Sequence, residues 1–90
     1  MSTRKGLAVD TPAVYQIGVQ GSLDESWSDR MNGVDIRARN LPGEAPVTLL
    51  VGRFIDQAAL AGVLNTLYDL GFPLLTVELL EAQPLRKAEA

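Results

Sequence analysis

Ninety residues fit a single folding unit, one able to bury roughly 60–65% of the surface its unfolded chain exposes. The chain has no cysteine and no histidine, which excludes disulfides, thiolate and imidazole metal sites, a cysteine nucleophile and the commonest neutral-pH general base. Eight basic residues against eleven acidic ones leave a net charge of −3, so no basic field is available to hold a nucleic-acid backbone.

Residues 1–12 read as a flexible polar leader ending at Thr11-Pro12. Its start, Met1 to Val9, carries a small positive cluster without a sustained apolar stretch, and does not read as a signal peptide. Tyr15, Ile17 and Val19 then alternate with Gln16, Gly18 and Gln20, the period-two pattern of a half-buried strand expected over about 14–20. After Gly21-Ser22, Leu23, Trp27 and Met31 recur every fourth residue and share one face of a short helix, expected over about 24–32. Asn32-Gly33 stops it, glycine being the natural left-handed cap.

Val34, Ile36 and Ala38 alternate with Asp35, Arg37 and Arg39, which predicts a strand over about 34–40 with one face inward. Pro42-Gly43 suits the centre of a type II turn, so Asn40 to Pro46 reads as a hairpin loop. The returning strand, about 47–54, is apolar on both faces, with Val47, Leu49 and Val51 on one and Leu50 and Phe54 on the other. Such a strand belongs in the middle of a sheet. Asp56 is a suitable N-cap for a long helix over about 57–70, whose core stripe is Leu60, Val63, Leu64 and Leu67. Gly71 and Pro73 end it. A last strand follows over about 74–81, with Leu75, Val77 and Leu79 facing one way and Leu74 and Leu80 the other. Residues 83–90 read as a flexible polar tail.

The order strand, helix, strand, strand, helix, strand, with right-handed crossovers, predicts an α+β domain over residues 13–82. Its expected form is a ferredoxin-like βαββαβ sandwich, a four-stranded antiparallel sheet with two helices on one face. The longest apolar runs, such as Val47 to Gly52, fall far short of the ~20 residues that cross a bilayer. Together with the missing cysteines, this reads as a cytoplasmic protein with no membrane partner, no nucleic-acid partner and no cofactor. For metals only oxygen ligands remain, and no spacing of Asp and Glu resembles a calcium loop.

Two fragments resemble acylphosphatases: Val19-Gln20-Gly21 at the end of the first strand, and Arg39-Asn40-Leu41-Pro42-Gly43 in the hairpin loop. That family needs an arginine after its first strand to hold phosphate. Here Ser22-Leu23-Asp24-Glu25 stands in that place, and its two carboxylates would repel an anion. The element order and Gly21 also resemble amino-acid-sensing ACT domains, although the Asp-x-x-Gly pattern usual there does not follow. An acylphosphatase-like hydrolase and a small-ligand-sensing domain are therefore the alternatives to a binding module.

A longer string runs through the chain. It comprises Tyr15-x-Ile17-x-Val19-x-Gly21-x-Leu23-Asp24, Trp27, Gly33, Thr48-x-Leu50-x-Gly52, Asp56-Gln57-Ala58-Ala59-Leu60-x-Gly62-x-Leu64, Asp69-Leu70-Gly71 and Leu74-Leu75-x-Val77. It resembles a group of short, uncharacterised bacterial proteins, and the resemblance implies a compact bacterial domain without an assigned active site. The expected function is a non-enzymatic homodimeric interaction or regulatory module, with a protein partner as the other occupant of its surface. Its dimer interface is expected on the helix-free sheet face, through Leu50, Phe54, Leu74 and Leu80. A pocket is expected beside Trp27, Asp56 and Gln57.

Overall fold

A computed structural model describes residues 7–82. The alternating segments form strands β1 (Ala13–Gln20), β2 (Asp35–Arg39), β3 (Val47–Phe54) and β4 (Leu74–Ala82). A seven-residue 3₁₀ helix, Glu25–Met31, lies between β1 and β2, and helix α1, Gln57–Asp69, lies between β3 and β4. The strands make one antiparallel sheet in the order β2-β3-β1-β4. The fold is thus α+β, a four-stranded antiparallel sheet with two helices. No helix among the described residues is long and apolar enough to cross a membrane.

One core cluster joins both helices to a single face of the sheet. Ala13, Tyr15, Ile17 and Val19 of β1, Ile36 of β2 and Leu50 and Phe54 of β3 meet Leu23, Met31 and Val34 around the short helix, and Leu60, Val63 and Leu67 of α1. Tyr15 and Phe54 pack edge to face at 6.1 Å between ring centroids. No residue of β4 belongs to this cluster.

The turns follow their sequences. Glu44 N–H donates to the Leu41 carbonyl across Pro42-Gly43, with Gly43 at φ 78°, as a type II turn requires. The short helix ends at Asn32, itself left-handed at φ 63°, one residue before the expected glycine. That helix is 3₁₀ rather than α. Asp24 makes no capping bond to its backbone, the carboxylate accepting instead from the Ser26 hydroxyl. Seven residues without a cap are short for an α-helix. Asp56 does cap α1, its carboxylate accepting from Ala59 N–H at 2.8 Å.

Two face assignments drawn from the sequence are reversed. Leu50 pairs with Ile17 on one side and Ile36 on the other, and residues directly opposite in an antiparallel ladder share a face. Leu50 and Phe54 therefore point into the core, at 0% and 1% exposure, and Val47, Leu49 and Val51 lie half-buried on the helix-free face. In β4, Val77 and Leu79 sit opposite Ile17 and Tyr15 and share the helix side, as the alternation implied. Register shifts beside Val14/Tyr15 and Gly18/Val19 leave Leu75 and Leu80 without partners on β1 and set Leu74 opposite Val19, on the helix side rather than the helix-free face expected of it, so strict alternation fails at both ends of the strand.

Residues 7–12, read from sequence as part of a loose leader, form a turn in which Thr11 N–H donates to the Ala8 carbonyl. Gln57 N–H, one of the unpaired donors at the start of α1, donates to the Val9 carbonyl at 2.8 Å and fastens this segment. Residues 1–6 and the tail at 83–90 lie outside the described residues.

Candidate functional site: the open strand at the sheet edge

The expected pocket residues have separate structural tasks. The Trp27 ring packs half-buried against the core and carries the Arg30 guanidinium at 5.1 Å from its centroid, a cation–π contact on the outside of the short helix. Asp56 is engaged as the α1 cap, and Gln57 is exposed with its N–H held by Val9. These three residues are accounted for by packing, capping and chain fastening. Among the described residues, no three carboxylates gather closely enough to hold a metal ion.

The loop after β1, where an acylphosphatase would hold phosphate, is built inward. Gly21 N–H donates to the Pro46 carbonyl, and Leu23 N–H donates to the buried Thr48 hydroxyl at 3.1 Å. That hydroxyl in turn donates to the Gly21 carbonyl at 2.7 Å. Among the described residues Thr48 is the buried polar one, and its two bonds clasp the loop onto β3. In the sequence Thr48 stands out only as one of a string of residues shared with similar proteins. The available signal was a lone threonine within the apolar run Val47–Gly52. Gly21, at φ 117°, also lies where a side chain would collide with the Phe72 ring, which closes the loop from the other side. Arg39 and Asn40 are exposed at the far end of β2.

What remains open is β4. Leu74, Leu75, Val77, Leu79 and Leu80 are 42–53% exposed, on a nine-residue strand at the edge of the sheet. Of the four residues expected at an interface, Leu74 and Leu80 are on this open strand, and Leu50 and Phe54 are not. Val77 and Leu79 join the open set from the helix side because α1 directs Leu60, Val63 and Leu67 into a cluster that β4 does not enter. On the helix-free side, Thr76 lies against Gly18, so closely that a β-carbon on Gly18 would meet its hydroxyl at 2.6 Å. Glu78 accepts from the Gln16 side-chain amide at 3.4 Å. β4 is held by its ladder to β1, with apolar side chains left facing water.

The other edge is different. β2 has five residues, and Asp35, Arg37 and Arg39 are exposed along it, with Arg37 Nε 2.7 Å from the Asp35 carboxylate. Short length and charge are the ordinary means of preventing edge-to-edge pairing, and β4 has neither over Leu74–Val77.

The fold and this edge define a small α+β domain with one protected and one open sheet edge. Residues 14–78, from β1 into β4, match the family described as a domain of unknown function, DUF8691, and the chain belongs to that family. No curated protein and no solved structure shows a significant match to the chain.

Proposed function

We propose that the domain is a non-enzymatic, homodimeric interaction module built on the ferredoxin-like βαββαβ plan, with β4 as its contact surface. Four antiparallel strands in the order β4-β1-β3-β2, a helix in each crossover and one shared core face support that plan. The observation that carries the function is the exposure of five large apolar side chains on one edge strand. Scattered leucines on a surface are ordinary, but a contiguous apolar strip on an unpaired edge marks an association site. The cysteine-free composition supports a reducing, cytoplasmic setting.

The magnitudes are compatible with a reversible dimer. Burying the open half of one such side chain contributes about 1 kcal/mol, given ~1.5–3 kcal/mol for full burial. The strips of two copies together supply about 10 kcal/mol, the same order as the ~4–15 kcal/mol cost of association. New main-chain hydrogen bonds along β4 then decide the balance. Sedimentation of the full chain at tens of micromolar should show a dimer. Leu79→Glu, which puts a charge into the strip at a residue outside the core cluster, should sediment as a folded monomer with unchanged circular dichroism. A monomeric wild-type protein overturns the reading.

A further inference from the structure

We infer that two copies of this chain join antiparallel through β4, about a two-fold axis that sets Val77 opposite Val77 of the second copy. This rests on the homodimer reading above and assigns its geometry. Leu74-Leu75-Thr76-Val77-Glu78-Leu79-Leu80 is palindromic in character about Val77, with Thr76 and Glu78 as the one unlike couple. A two-fold axis perpendicular to a sheet sets residues equally far on either side of its centre against one another, so such a pattern matches like with like. It runs the second strand backwards past the first and keeps each side chain on its own face, so along a regularly alternating stretch every residue meets one of its own parity. The axis must then pass beside a residue, never between two.

Four centres fall within the regular stretch of β4, and the one on Leu79 sets Glu78 against Leu80 and Val77 against Glu81, a carboxylate against an apolar side chain in both. Centred on Val77, Leu75 meets Leu79, Leu74 meets Leu80, and Thr76 meets Glu78, whose carboxylate can accept from the threonine hydroxyl. Centred on Glu78, the two carboxylates stand directly opposite each other, which like charge disfavours. Centred on Thr76, each Glu78 is set against Leu74 of the other copy, a carboxylate against an apolar side chain. Only the Val77 register places apolar against apolar and leaves no like-charge pair over Leu74–Leu80. The two irregularities of β4 flank this centre, at Leu75 and Leu80, and leave Thr76–Leu79 in regular pairing with β1.

The absence of cysteine makes the register directly measurable, because a single introduced thiol is the sole thiol of the chain. Residues directly opposite on antiparallel strands have Cα atoms ~4.5–5.5 Å apart, within the ~4.4–6.8 Å that a disulfide spans. Full-length Val77→Cys, Thr76→Cys and Glu78→Cys are oxidised in parallel with glutathione disulfide and followed by non-reducing electrophoresis. Val77→Cys should form covalent dimer at least about tenfold faster than the other two, since only its thiol faces its own copy at disulfide distance. Faster cross-linking at Thr76→Cys or Glu78→Cys overturns the register. A wild-type dimer by sedimentation with no cross-linking in any variant overturns pairing through β4, and leaves the homodimer reading standing on another surface. A wild-type monomer removes both, and β4 is then covered by residues of its own chain or by a different protein.

Discussion

Thr48→Val tests the clasp between β3 and the loop after β1. The substitution keeps the branched shape and removes the hydroxyl that accepts from Leu23 N–H and donates to the Gly21 carbonyl. The Leu23 donor makes a buried bond within the core, so orphaning it costs about 1–3 kcal/mol. Gly21 is half-buried, and water reaching its carbonyl limits that loss to the low end of the same range. The added methyl group returns up to ~0.8 kcal/mol of apolar burial. A net loss of about 2 kcal/mol results, which for a domain of this size lowers Tm by about 8–16 °C. Thr48→Ser keeps both bonds and gives up one methyl group, at about 1 kcal/mol. Thermal denaturation of both variants gives the ranking. Amide hydrogen exchange gives the mechanism, because Leu23 N–H should lose protection in the valine variant and keep it in the serine variant. A valine variant as stable as wild type, or a serine variant less stable than valine, refutes the clasp.

Asp56→Ala should lower stability by about 1 kcal/mol, within the ~0.5–2 kcal/mol of an N-cap, through loss of the bond to Ala59 N–H. Chemical denaturation checks this, and Asp56→Asn or Asp56→Ser should restore most of it. Leu50→Glu should prevent folding rather than dissociate a dimer, because it buries a carboxylate among Ile17, Ile36 and the helices without a partner. Circular dichroism of the purified variant distinguishes the two outcomes, and a folded monomer would return Leu50 to an interface.

Most of the architecture is legible in the sequence because each element carries its own local instruction. Alternation in Tyr15–Val19 and Val34–Ala38, the Pro42-Gly43 turn and the Asp56 cap all act over a few residues, and all four strands lie within a residue or so of the expected spans. The sides of β3 are less legible, since both of its faces are apolar and local pattern does not distinguish them. A longer-range signal does. A loop over Asn40–Pro46 closes the hairpin at Arg39 and Val47, which sets Ile36 opposite Leu50 and puts both on one face. Counting register through the turn assigns the core side that hydropathy leaves open. The irregularities in β4 have no comparable marker, because Leu75 and Leu80 are set apart from their neighbours only by where the ladder to β1 slips.

That distinction bears on what β4 is for. A strand apolar on both faces ordinarily lies between two others, as β3 does between β2 and β1. β4 has the same two-sided character, with Leu74, Leu75, Val77, Leu79 and Leu80 in nine residues, yet among the described residues it has one neighbour and takes no part in the core. Its composition is that of a central strand at an edge position. The β2 edge shows that this chain carries the opposite solution as well, with charges in a short strand where pairing is to be prevented. The proposed pairing with a second β4 about Val77 would resolve the mismatch. It would give the strand its second ladder, make it one of two central strands in a continuous eight-stranded sheet, and leave the two charged β2 strands as the outer edges. A further copy would then meet only those protected edges, so the same sequence features that favour a dimer also end assembly there.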